Sequence, residues 1–130
     1  VVTGDFAIDG VPGTGAQIML YFQSPSGSKT GKLLPTGNVR DTITLEVGNA
    51  HTAKNNHRID VSFVDSATPS VFVKAEDLGY TGTELPSDIE TDEEGLLDIL
   101  EDIRRTAAVR MGLATSKDSA SPAIPKVCMV

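Results

Sequence analysis

The alternation of apolar and polar side chains along the chain predicts a mainly β structure. Ile43, Leu45 and Val47 alternate with Thr and Glu across 41–47, which is the period-two pattern of a strand with one buried face. The same alternation resumes across 59–63. Shorter apolar runs bounded by Gly, Pro, Ser and Asp predict further strands at 5–9, 16–23, 70–74 and 124–130. The Gly-, Pro- and Ser-rich segments between these runs are predicted to be turns and loops.

One long helix is predicted near the end of the chain. Thr91 and Glu94 have the spacing of a capping box, and Gly112 is a suitable residue to follow a helix that ends near Met111. An apolar stripe at helical spacing runs along it, formed by Leu96, Leu100, Ile103, Ala107 and Met111 and widened by Leu97, Ile99, Ala108 and Val109. A stripe of this width predicts a helix that is covered on several sides, whereas its acidic first half is expected to be a solvated face.

These elements together predict one α+β domain over residues 1–130, with several strands packed around a single long helix. The chain begins at Val1 without a Met and stops inside the apolar run 127–130, where a strand is normally followed by a turn. We therefore expect the domain to be part of a longer protein.

Composition limits the partners that the domain can bind. The chain is 39% hydrophobic and 22% charged, which is typical of a globular domain. Its formal net charge of −7 disfavours nucleic acid and anionic membranes as partners. No apolar stretch reaches the length of about 18 residues that a membrane-spanning helix needs. A small-molecule ligand is expected instead.

The few residues that commonly hold metals or attack substrates are not clustered. His51 and His57 lie in the polar hairpin loop 48–57, without a carboxylate or Cys at metal spacing, so they are expected to be exposed and no metal site is predicted. Cys128, the single cysteine, excludes an internal disulfide and suits a reducing compartment, the cytoplasm or the mitochondrial matrix. It lies in an apolar run and is expected to be a buried small hydrophobe.

Two loops could bind an anion. In the segment 25–32, two glycines let backbone amides approach a ligand, and Ser28, Thr30, Lys29 and Lys32 add hydroxyl donors and positive charge; a solvated hairpin end is the alternative interpretation. Asp65 and Ser66 follow directly after a predicted strand, a position at which sites are often built, although their spacing alone favours an Asx- or Ser/Thr-type turn that ends the strand. The glycine-rich run 10–15 lacks the Lys-Ser/Thr pair of a phosphate loop and is predicted to be a tight turn.

Several of these segments, in the same order, resemble the PrpF and methylitaconate isomerase family. The matching runs are Gly-Val-Pro-Gly-Thr-Gly-Ala at 10–16, Ser-Pro-Ser-Gly-Ser-Lys-Thr-Gly-Lys-Leu-Leu-Pro-Thr-Gly-Asn at 24–38 and Val-Ser-Phe-Val-Asp-Ser-Ala-Thr-Pro at 61–69. Shorter matches continue at 77–79, 82–84, 103–104, 111–113 and 124–127. Each motif alone is weak, but their co-linear order over nearly the whole chain is specific.

The resemblance implies a diaminopimelate-epimerase-like fold, in which a curled antiparallel or mixed sheet forms a half-barrel around one central helix. Two such half-barrels enclose the ligand, and this chain resembles the central portion of the complete protein. The implied reaction moves a proton and a double bond in aconitate, methylitaconate or oxalomesaconate without a cofactor or metal. The implied partners are therefore a small di- or tricarboxylate and the remainder of the same polypeptide, and a homo-oligomer is left open.

Because the two loops offer donors for negative charge, we expect this chain to supply the substrate-carboxylate-binding side of the site. The candidate residues are Ser26, Gly27, Ser28, Lys29, Thr30, Gly31, Asp65 and Ser66. No residue stands out as the acid or base, and the family's N-terminal loop and Cys-Gly-Asn-like turn, which are expected to supply those groups, are absent from the chain. The alternatives are a non-catalytic module that binds small carboxylates or serves as a scaffold, and a racemase or epimerase of the same fold. The expected compartment is the cytoplasm, with mitochondria as an alternative.

Overall fold

The computed structural model describes residues 3–130 and contains four strands and four helices. Its strands are β1 (Asp41–Thr44), β2 (Arg58–Ser66), β3 (Thr68–Val73) and β4 (Lys126–Met129), and its helices are α1 (Ala50–Ala53), α2 (Ala75–Leu78), α3 (Pro86–Glu90) and α4 (Leu96–Arg110). The two strands with the clearest period-two alternation, at 41–47 and 59–63, are both present, the first ending earlier and the second extending further than predicted. The α+β class predicted from the sequence is therefore present.

The sheet is mixed and open, with strand order β1-β2-β3-β4. The pairs β1–β2 and β2–β3 are antiparallel, whereas β4 pairs parallel to β3. The parallel pair is reached through a long connection that contains α4, because two parallel neighbours cannot be joined by a tight turn. The tight turn between β2 and β3 contains Ala67, which has a positive φ of 60°.

One face of the sheet and one face of α4 enclose a single hydrophobic core. Alternate residues of β1, β2 and β3 face this core, and α4 contributes its apolar stripe from the other side. The fully buried core residues include Phe63, Val71, Leu78, Leu96, Ile99, Ile103 and Ala107. The opposite face of the sheet carries Asp60, Ser62 and Phe72, which remain partly or fully exposed. The core thus positions the strand ends that carry the candidate loops.

Helix α4 is covered less completely than its sequence predicts. Leu97 is 58% exposed and Val109 is 37% exposed, so the widened stripe does not fully contact protein within residues 3–130. Conversely, Asp102, which was expected on a solvated face, is only 7% exposed. Its burial is compensated because its carboxylate accepts hydrogen bonds from Lys117 Nζ and from the backbone amides of Glu46 and Val47, which follow β1.

The start of α4 also differs from the capping-box prediction. The helix begins at Leu96, with Gly95 as its N-cap, and the Asp92 carboxylate accepts a hydrogen bond from the Leu96 amide at 2.9 Å. The other oxygen of Asp92 accepts from the Tyr80 hydroxyl at 2.9 Å. The prediction that Thr91 and Glu94 cap this helix was wrong, because Asp92, which precedes the helix, accepts the hydrogen bond from its first amide.

Two predicted strands in the first 40 residues do not form. At 5–9 there is only an isolated bridge between Phe6 and Gly15, and residues 16–23 have no regular structure. A β-strand needs a partner for its amides and carbonyls, and the segment 16–23 pairs with no strand in the described part of the chain. Five successive apolar side chains are consequently 60–83% exposed: Ile18, Met19, Leu20, Tyr21 and Phe22.

Candidate functional site

The two candidate segments found separately in the sequence lie in contact at one end of the sheet. Ser26 forms an isolated antiparallel bridge with Ser66, the last residue of β2. The Gly27 amide donates to the Asp65 carbonyl at 2.7 Å, and the Ala67 amide donates to the Pro25 carbonyl at 2.7 Å. The end of β2 therefore holds the loop 26–32 against the sheet.

The Asp65 side chain lies inside this loop and is completely buried, with 0% exposure. Its Oδ2 accepts hydrogen bonds from the Lys29 amide at 2.8 Å, the Thr30 amide at 2.7 Å and the Thr30 hydroxyl at 2.8 Å. Its Oδ1 accepts from the Ser28 hydroxyl at 2.8 Å. The donors that could bind an anion are thus directed at a carboxylate of the protein itself.

These hydrogen bonds keep Asp65 ionised. Burial alone would raise the pKa of its carboxyl, but the amides of Thr30 and Lys29 and the hydroxyls of Ser28 and Thr30 outweigh it and lower the pKa to about 2. The carboxylate therefore carries its negative charge at neutral pH, within the loop that was predicted to receive an anion.

Two glycines shape the loop. Gly27 and Gly31 have φ values of 72° and 80°, which side chains rarely adopt, and the Gly31 amide donates to the Gly27 carbonyl at 3.0 Å to close the turn. A Cβ on Gly27 would lie 2.5 Å from the Gly31 carbonyl carbon, whereas a Cβ on Gly31 would meet nothing within 4 Å. Gly27 is therefore required for close backbone approach as well as for its φ.

A second buried carboxylate, that of Asp41, was not predicted from the sequence and holds the turn 35–38 that follows the loop. Asp41 is 8% exposed and accepts hydrogen bonds from Thr36 Oγ1 at 2.6 Å, Asn38 Nδ2 at 3.1 Å and Arg110 Nη2 at 3.2 Å. Burial raises the pKa of the Asp41 carboxyl, but the hydrogen bonds from Thr36 and Asn38 and the charge of Arg110 lower it overall. The signal available in the sequence was the Pro-Thr-Gly-Asn turn at 35–38, placed just before a strand that begins with Asp.

The candidate residues differ in what they leave free for a ligand. Asp65 is enclosed, and the hydroxyls of Ser28 and Thr30 point to it. Lys29 is exposed, as are Gly31 and the neighbouring Lys32. Within residues 3–130, neither Lys29 nor Lys32 forms an ion pair with a carboxylate. The loop therefore presents two ammonium groups to solvent on an otherwise acidic chain.

The residues considered for metal or nucleophilic chemistry lie outside this loop. His51 and His57 are half-buried instead of exposed, because His57 Nδ1 lies 2.9 Å from Thr52 Oγ1 and His51 contacts the turn at Gly79. Cys128, expected to be buried, is half-buried on β4. No group of three or more metal-ligating side chains occurs in the described residues 3–130. In the same range, no helix is both long and apolar enough to cross a membrane.

A family model described as "PrpF protein" matches residues 1–130 of the chain. The chain belongs to the PrpF family. It is 43% identical over 132 residues to 3-methylitaconate isomerase from Eubacterium barkeri, an alignment that covers 99% of this chain and 32% of that protein. It is 38% identical to 2-methyl-aconitate isomerase from Shewanella oneidensis, covering 98% of this chain and 31% of that protein.

Two further comparisons place the PrpF chain in the same group. It is 36% identical to 4-oxalomesaconate tautomerase from Pseudomonas putida, covering 98% of this chain and 30% of that protein. The crystal structure of methylitaconate-delta-isomerase matches with a TM-score of 0.82 and 41% identity, over 99% of this chain and 32% of that chain. The PrpF chain therefore spans about a third of the length of these relatives.

Proposed function

We propose that the PrpF chain supplies the substrate-carboxylate-binding side of an isomerase that acts on an unsaturated di- or tricarboxylic acid without a cofactor. The observation that carries this proposal is its co-linear similarity to relatives named for methylitaconate, 2-methylaconitate and oxalomesaconate. These names share one substrate chemistry, a carbon–carbon double bond beside several carboxylates. We propose that the site is built from the candidate residues Ser26 to Gly31 with Asp65 and Ser66, among which Asp65 is enclosed by the loop and does not itself meet the substrate.

The proposed reaction needs a base, an acid and a way to hold the negative charge. A base removes a proton from the carbon next to the double bond, the electron pair spreads through the conjugated carboxylate, and an acid returns a proton to the far carbon of the allylic system. The double bond moves and no net charge is gained or lost. Fixed positive groups near the carboxylate stabilise the intermediate anion. We propose that the cations of this chain bind the substrate's carboxylates in the ground state and the transition state alike, and that the acid, the base and the groups that stabilise the anion lie in the remainder of the polypeptide.

The exposed apolar run 16–23 supports a larger assembly around this domain. Contiguous exposed apolar surface of this kind is unusual on a finished monomer and marks a contact surface. We propose that the occupant is a β-strand from the remainder of the same polypeptide, since the relatives are about three times longer. Such a strand would give 16–23 the pairing partner that it lacks within residues 3–130, and we propose that the sheet of the complete protein curls around α4 as the half-barrel of a diaminopimelate-epimerase-like fold. The single cysteine agrees with a cytoplasmic location, which we also propose.

The test is proton NMR of the complete protein in heavy water, with methylitaconate, cis-aconitate and oxalomesaconate offered separately. We expect deuterium to enter one of these substrates at the allylic carbon while the double bond moves. Binding of the acids without any exchange would instead support a non-catalytic module. Exchange of the α-proton of an amino acid, with none in the unsaturated acids, would support a racemase or epimerase.

A further inference from the structure

The donors of the loop 26–32 already bind a carboxylate from within the protein. The amides of Lys29 and Thr30 and the hydroxyls of Ser28 and Thr30 all donate to Asp65, which has no exposed surface. A substrate carboxylate could take these donors only if Asp65 released them. That exchange would leave an ionised group buried without partners, which is strongly unfavourable.

The groups that remain for a substrate are the exposed ones on the outer side of the loop. The Lys29 amide donates to Asp65, and so do the Ser28 hydroxyl and the Thr30 amide on either side of it. The backbone that carries the Lys29 side chain is therefore fixed by Asp65. The Lys32 carbonyl lies 3.0 Å from the Thr30 hydroxyl and competes with Asp65 Oδ2 for its single proton, whereas the next carbonyl, that of Leu33, accepts from the Asp65 amide at 2.8 Å. The backbone beneath both ammonium groups is therefore anchored to one residue.

We propose that Asp65 is a positioning residue whose buried carboxylate holds the loop 26–32 in one conformation, so that the ammonium groups of Lys29 and Lys32 bind the substrate's carboxylates. This inference rests on the proposed function and adds to it a division of roles. Asp65, Ser28 and Thr30 build the loop, and the two lysines contact the substrate. Two lysines suit a substrate with more than one carboxylate, because each ammonium can form its own charge-assisted hydrogen bond.

The first test uses exposed variants that do not disturb the core. In the complete protein, Lys29→Gln and Lys32→Gln are each expected to weaken binding of tricarballylate, a saturated tricarboxylate, by about tenfold in calorimetry. The KM for the unsaturated substrate is expected to rise by a similar factor while kcat changes less than about threefold, because the lysines bind substrate and transition state alike. The matched control is Lys54→Gln, another exposed lysine, which is expected to change neither value.

The second test addresses Asp65 itself. In the wild type, the amide protons of Lys29 and Thr30 are expected to resonate downfield because they donate to an ionised carboxylate, and saturation with tricarballylate is expected to leave them there. Asp65→Asn is expected to move both resonances upfield and to raise KM. The control Asp60→Asn lies on the same strand, on the exposed face of the sheet, and leaves these resonances in place. If Asp65→Asn does not fold, the wild-type titration and the lysine variants decide the question.

The outcomes separate this inference from the proposed function. Tricarballylate binding that depends on both lysines, without turnover of any unsaturated acid, would support the loop assignment and remove the isomerase. Turnover by the wild type with unchanged KM in both lysine variants would overturn the loop assignment alone. Large shifts of the Lys29 and Thr30 amides on adding tricarballylate would also overturn it, because the ligand would then use the donors assigned to Asp65. A wild type that neither binds nor reacts would overturn both.

Discussion

The backbone amide and the side-chain hydroxyl of Thr30 both donate to the same oxygen of Asp65, Oδ2, at 2.7 and 2.8 Å. Such double donation from one residue fixes both the backbone and the side chain of Thr30 relative to β2. These hydrogen bonds have their full strength only while the Asp65 carboxylate is ionised, because protonation removes the negative charge that strengthens them.

Acid is therefore expected to weaken the protein through Asp65. The folded-state pKa of about 2 lies below the ordinary value of 3.8, so the stabilisation is present above about pH 4 and is lost as the pH falls towards 2. The stability advantage of wild type over Asp65→Asn is expected to shrink by about 2 kcal/mol between about pH 5 and pH 2. Urea unfolding of both proteins across this range measures it.

The difference in unfolding free energy between wild type and Asp65→Asn reports on Asp65 separately from the other carboxylates. Glu84 and Glu101 also have a pKa lowered to about 2, the first by hydrogen bonds from the Thr81 and Gly82 backbone and the second by Arg104 and Arg105. Their contributions are common to wild type and variant and cancel. Parallel stability curves for the two proteins would mean that Asp65 is not the residue whose protonation weakens the fold.

The two loop glycines are expected to respond differently to the same substitution. Gly31→Ala places a Cβ in open space and is expected to cost only the left-handed backbone strain, about 1 kcal/mol. Gly27→Ala adds a steric clash with the Gly31 and Lys32 backbone and is expected to cost about 3 kcal/mol. Thermal unfolding of the two variants compares them directly, and equal losses would show that the turn is looser than described.

The buried carboxylate of Asp102 is expected to stabilise the packing of α4 against the loop after it. Lys117 Nζ lies 2.6 Å from Asp102, and the Val47 amide donates to the same side chain at 3.2 Å. Asp102→Ala is expected to lower the free energy of unfolding by about 2 kcal/mol, because it removes the charged acceptor that the Glu46 and Val47 amides and the Lys117 ammonium share. Asp98→Ala, one turn earlier and exposed, is the matched control and is expected to cost less than about 0.5 kcal/mol. Similar losses in urea unfolding would contradict the assignment.

The apolar segment 16–23 is expected to be protected in the complete protein. If a strand from the rest of the polypeptide pairs with it, its amides exchange slowly with deuterium, because paired strand amides exchange only when the pairing opens. Hydrogen exchange read by mass spectrometry tests this on peptides covering the segment, with the exposed turn 10–14 as the internal reference. Exchange as fast as in that turn would contradict the proposed pairing.

The sequence predicted most reliably those elements whose pattern is local. The alternation at 41–47 and 59–63 became β1 and β2, and the stripe through Ile103 and Ala107 became the buried face of α4. The two-residue repeat of side chains along a strand and the 3.6-residue repeat along a helix are set by backbone geometry, so they can be recognised in one sequence. Element ends were predicted less well, because the start of α4 depends on Asp92 and not on the nearest capping-box residues.

The sequence by itself determined the α+β class, the inward-facing positions of β1, β2 and the Ile103–Ala107 stripe, and the two segments that meet at the end of β2. Only the tertiary structure decided that these segments are partners, since Ser28 and Asp65 are 37 residues apart and meet because the sheet brings the end of β2 to the loop. The same residue types would also suit a solvated turn. The structure shows instead that Asp65 is buried and accepts hydrogen bonds that fix the loop 26–32. The segment 16–23 also depends on tertiary structure. Its sequence is suited to a strand, but no neighbouring strand pairs with it within residues 3–130, so it remains irregular.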